Sequence, residues 1–139
     1  MGKRTNERFL QAYVELDKAC CEKFGIAAGG VAEYINRLGN TRFAPGRDEV
    51  LPHLVKYRNI RNVFTYEPSA VRKNDELTSK DLTWINKFVR DISRKNDPMS
   101  RYLRKARRYM TGKRIKRYAI FISIVILIIV GVIVFFAYK

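Results

Sequence analysis

The residues with the greatest chemical reach stand together in the run His53 to Glu67, HLVKYRNIRNVFTYE. Arg58, Arg61, Asn62 and Tyr66 supply two guanidinium forks, an amide and a phenol on one segment. Arginine presents five donors in a plane that matches phosphate and carboxylate oxygens, so this is recognition chemistry for an anionic ligand. Leu54, Tyr57, Arg61 and Phe64 recur at helical intervals, which predicts Arg61 projecting from the middle of an apolar stripe. A guanidinium there either lines a groove or pairs with an acid of another helix, such as Asp17. Acid–base work needs a group that titrates near neutrality, as histidine does at about 6.5 and tyrosine at about 10 does not. The only histidine, His53, lies two turns from Arg61, roughly 12 Å along a helix, beyond reach within one subunit. Two readings of the run stay open: Arg61 lines a polar groove, or it pairs with an acid and only fixes helix register.

The stretch KYRNIRNVFTYEPSAVRKNDELTSKDLTWINKFVRDISRKNDPMSRYLRKARRY resembles the C-terminal half of small bacterial HEPN-like helical domains. The likeness covers roughly residues 51–108. In that superfamily an Arg-Asn pair, followed after three further residues by His, ends a long helix. By position the Arg falls on Arg61, the Asn on Asn62 and the His on Tyr66. The resemblance implies a dimer with the motifs of both subunits facing one cleft. In competent members it implies metal-independent RNA cleavage. With Tyr66 in the histidine position, it implies a degenerate site that keeps the fold and binds RNA or a nucleotide.

The elements that must position these residues are all helical. Phe9, Tyr13, Leu16, Cys20 and Phe24 predict an amphipathic helix over 6–24, with Thr5 as its cap. Gly25 stops it, and the Gly29-Gly30 pair reads as a helix break before a short helix from Val31 to about Gly39. No strand precedes that pair, as a phosphate cradle requires. A third helix runs from about Asp48 to Thr65, with Pro52 near its start. Pro68 and the polar run VRKNDEL make the connection to the next helix. Thr78 and Asp81 form a capping pair for a fourth helix, whose stripe is Leu82, Ile85, Val89 and Ile92. Asp97-Pro98 is a cap and first position for a fifth. That fifth segment, to Met110, has Met99, Tyr102, Leu103, Ala106 and Tyr109 on one side and arginines on the other. It reads as a basic helix on the membrane surface or beneath the domain, with a hinge at Thr111-Gly112.

From Ala119 to Tyr138 the chain reads AIFISIVILIIVGVIVFFAY, with no charge. Twenty such residues make a helix about 30 Å long, the thickness of a bilayer's hydrocarbon. The expected fold is therefore all-α: a small antiparallel helical bundle, HEPN-like by resemblance, over 1–97. A basic juxtamembrane segment over 98–117 and a single transmembrane helix over 118–139 follow it. The formal charge of +15 divides unevenly, because residues 101–139 hold ten basic side chains and no acid. Arg101, Arg104, Lys105, Arg107, Arg108, Lys113, Arg114, Lys116 and Arg117 mark the side of the membrane that anionic lipid and the positive-inside bias select. The expected location is the inner membrane, tail-anchored and single-pass, with the N-terminal domain cytoplasmic. Tyr118 and Tyr138 suit the two interfaces.

Cys20 and Cys21, adjacent on one helix, read as one core thiol and its neighbour. One histidine and two neighbouring cysteines make no metal-ligand set, and no cofactor motif is present. Three roles remain open: a membrane-held binding or regulatory module, a tethered ribonuclease acting as a toxin or phage-defence effector, and an adaptor that docks a cytosolic protein. The expected partners are anionic lipid, a second copy, RNA or a nucleotide, or such a protein.

Overall fold

The computed structural model describes residues 2–67, 69 and 77–138. Among these residues the chain forms five helices and no strand: α1 (Gly2–Phe24), α2 (Gly30–Asn40), α3 (Arg47–Tyr66), α4 (Ser79–Ser93) and α5 (Pro98–Ala137). The fold is all-α. The expected connection through Pro68 and most of VRKNDEL lies outside the described residues.

Two compact units divide the chain, Met1–Tyr102 and Leu103–Lys139. In the first, α1 is central and packs against α2, α3 and α4. Its buried face carries Phe9, Ala12, Tyr13, Leu16 and Cys20, the spacing that the sequence shows. Phe9 meets the rings of Tyr13, Tyr57 and Phe64, so the helices join through aromatic contacts at the centre of the core.

The break between α1 and α2 has a steric cause. Gly29 adopts a left-handed φ of 73°. A Cβ on Gly30 would strike the backbone oxygen of Asp17 and the backbone nitrogen of Cys21. The two helices approach that closely because the Asp17 carboxylate accepts the Val31 N–H at 2.8 Å, serving a donor that the start of α2 leaves open. At α4, the Thr78 N–H and hydroxyl both donate to Asp81, each at 2.8 Å, which is the expected capping pair. Ile85, Phe88 and Ile92 form the buried stripe of α4, while Leu82 and Val89 are half-buried.

The first turn of α5 belongs to the first unit. Pro98, Met99 and Ser100 are buried, and the unit runs to Tyr102, five residues past the expected limit of 97. The second unit is one helix. Thr111 and Gly112 lie inside it, so no hinge separates the basic stretch from the apolar one. Its best 18-residue window has a mean hydropathy of 3.4 and none of it is buried, which makes it long and apolar enough to cross a membrane.

Candidate functional site

The outer face of α3 brings the candidate residues together but changes the role of one. The buried residues of α3 are Leu54, Tyr57, Ile60 and Phe64. Ile60 occupies the middle of the stripe where the spacing places Arg61. Steps of three, three and four residues keep that stripe on one side of the helix, and Arg61 falls on its shoulder, exposed. Nor does Arg61 pair with Asp17, whose carboxylate serves Val31 and the Cys21 thiol. Arg58 and Tyr66 are also exposed, Tyr66 at 84%, and Asn62 is half-buried. Arg58, Asn62 and Tyr66 form one ridge at four-residue steps, with Arg61 beside it.

Among the described residues, neither Arg58 nor Arg61 has a salt bridge. Both act electrostatically on the phenol of Tyr13. Burial and Asp17 push that phenol up to about 12, against the pull of Arg61 and Arg58. The Thr65 hydroxyl donates to the Arg61 carbonyl at 2.9 Å and ties down the last turn of the helix. Among the described residues the face offers two guanidinium groups without a salt bridge, an amide and an exposed phenol, which is anion-recognition chemistry. His53 takes no part: it stacks on Trp84, centroids 4.6 Å apart and planes 8° apart, and its Nδ1 lies 2.9 Å from the Glu49 carbonyl. An open groove of about 480 Å³ between α1 and α4, lined by Arg8, Gln11, Glu15 and Asn86 among others, includes none of these candidates.

One carboxylate ties α3 down and a second ties α1, α2 and the start of α5 together, both with partners from distant segments. Asp81 accepts the Tyr57 hydroxyl at 2.9 Å and the Lys56 ammonium at 3.2 Å, which fixes α3 to α4. Burial opposes its ionisation, but the hydrogen bonds from Thr78, Tyr57 and Lys56 prevail and hold its carboxyl at about 2. Asp97, fully buried, accepts the Tyr34 hydroxyl at 2.6 Å, the Lys23 ammonium at 3.1 Å and the Ser100 N–H at 3.3 Å. Lys23 also donates to the Ser100 hydroxyl at 2.6 Å. Burial raises the Asp97 carboxyl, and bonds from Ser100, Tyr34 and Lys23 bring it below the ordinary carboxylate range. The sequence marks Asp97 as a cap, but Tyr34 and Lys23 are 63 and 74 residues away and carry no local signal. Cys20 is the buried thiol of its pair, pushed up to about 12 by burial and then by Asp17.

All nine basic side chains from Arg101 to Arg117 are exposed. Among the described residues Arg101 alone of these reaches another segment, donating to the Pro45 carbonyl at 3.3 Å, and Gly46 leaves room for it.

A family model described as a family of unknown function, DUF6548, matches residues 7–118. The match takes in the domain and the whole basic stretch and ends where the apolar run begins. No curated protein matches the chain. No solved structure matches it either.

Proposed function

The chain belongs to the DUF6548 family, and from that premise we propose that it is a single-pass membrane protein carrying a binding module. Its helical domain stands on the cytoplasmic side of a bacterial inner membrane and takes RNA or a nucleotide through Arg58, Arg61, Asn62 and Tyr66. The observation that carries this reading is the pair of exposed guanidinium groups on α3, unneutralised among the described residues and set beside an amide and a phenol. The orientation follows from the acid-free basic stretch on one flank of the span. HEPN-like kinship, proposed from the run at residues 58–67, sets the α3 faces of two copies about a common cleft. With Tyr66 where that motif has histidine, the site binds rather than cuts.

The test uses the full chain in nanodiscs of neutral lipid and a labelled RNA dinucleotide, too short to bridge to a second site. The Arg58→Ala/Arg61→Ala variant should bind at least tenfold more weakly, with unchanged unfolding of the domain. Equal affinity of the variant and the parent would sink the proposal. Cleavage of a longer RNA by the parent but not by Arg61→Ala would replace binding with ribonuclease activity.

A further inference from the structure

The continuity of α5 through Thr111 and Gly112 decides where its charges go. In an unbroken helix, Lys113, Arg114, Lys116 and Arg117 lie roughly 3 to 9 Å before the apolar run that starts at Ala119. That is the depth of the headgroup layer, about 5 to 8 Å on each side of the hydrocarbon. Arg104, Lys105, Arg107 and Arg108 stand roughly 16 to 22 Å from the same point. An ordinary tilt of about 20° shortens that distance very little. Lipid phosphates serve the near set and not the far one.

The two sets also face opposite ways. At about 100° per residue, the far set covers one side of the helix and the near set the side about half a turn round. Lowering the helix onto the bilayer on the side of the near set lifts the far set away. The far set is exposed and no acid occurs anywhere from Arg101 onward. Its make-up differs as well: three of its four members are arginine, against two of four in the near set. Arginine's planar fork takes phosphate oxygens two at a time, whereas lysine acts as a point charge.

We propose that Arg104, Lys105, Arg107 and Arg108 form a face that grips the phosphodiester backbone of single-stranded RNA above the bilayer. The face relies on the membrane span of the reading above but not on the α3 site.

The experiment measures binding of a labelled single-stranded RNA of about 20 nucleotides to the full chain in neutral nanodiscs, across a salt series. It is run on the Arg58→Ala/Arg61→Ala background, so that failure of the α3 site and failure of this face are read separately. Changing the four far residues to Gln should weaken binding at least tenfold and flatten the salt slope by about 3, near 0.7 per phosphate contact. The same change at Lys113, Arg114, Lys116 and Arg117 should leave the slope unchanged. An unaltered slope in the far variant, or equal losses in both, overturns the proposal. So does loss of RNA binding by the parent in nanodiscs rich in anionic lipid, which would give the far face to the membrane. Trp84 fluorescence verifies the domain, and far-UV circular dichroism the helix, in every variant.

Discussion

The two units use the same kinds of apolar side chain under opposite rules. In Met1–Tyr102 the large residues recur at helical spacing and turn inward, so that Phe9, Leu16, Tyr34, Leu54 and Tyr57 are removed from water. In Leu103–Lys139 they run without interruption and all stay on the outside; Leu127 is 71% exposed and Phe136 72%. A periodic stripe makes a core because helices can cover one another's stripes. An all-round apolar surface has no stripe for a neighbour to cover, and this helix is long and apolar enough to cross a membrane. Each unit should therefore fail in its own way.

The largest effect is expected in the first unit. Asp97→Ala leaves the Lys23 ammonium and the Tyr34 hydroxyl facing an empty buried site, at a cost of about 3 to 5 kcal/mol. Trp84, the only tryptophan, lies between His53 and Phe88 in that unit, so denaturant unfolding followed by its fluorescence reports on the domain alone. A loss below about 1 kcal/mol would mean that the network is ornamental. In the second unit, Ile128→Asp should raise the cost of insertion by about 3 kcal/mol and leave the Trp84 unfolding curve where it was. Carbonate extraction of membranes measures the first part. A shift in the Trp84 curve would mean that the units are not energetically separate.

Gly30→Ala should cost about 1 to 3 kcal/mol, because the added methyl meets helix backbone rather than a side chain that can yield. Thr78→Ala removes the hydroxyl donor at the start of α4, leaves the backbone N–H, and should cost about 1 kcal/mol. The same carboxylate sets an acid limit. Asp81 titrates at about 2 when folded and near 3.9 when unfolded, so its contribution is complete above about pH 4. It is lost as the pH falls toward 2, and the loss should be smaller in Thr78→Ala. An acid limb of equal size in both proteins would remove Asp81 as its source.

Local chemistry was legible wherever the interaction is short in sequence. The Thr78–Asp81 pair, the stop at Gly25, the stripe of α1 and the start of α5 at Asp97-Pro98 all involve partners within a turn or two. Arg61 was misplaced for an instructive reason. Both Ile60 and Arg61 fit an apolar repeat around Tyr57 and Phe64, and only the docked α1, with Phe9 against both rings, fixes which way the helix is turned. The hinge at Gly112 failed similarly: glycine permits a bend but does not impose one, and the flanking residues continue the helix.

The sequence by itself determined the long apolar run, the helical class and the uneven distribution of charge, because these depend on composition and on repeats of three or four residues. Tertiary structure alone decided that Lys23, Tyr34 and Ser100 converge on Asp97, that Asp17 serves α2 instead of Arg61, and that the α3 guanidinium groups face outward. Those outcomes depend on how whole helices rotate and approach, and the free energy that settles the matter is summed over many side chains far apart in the chain.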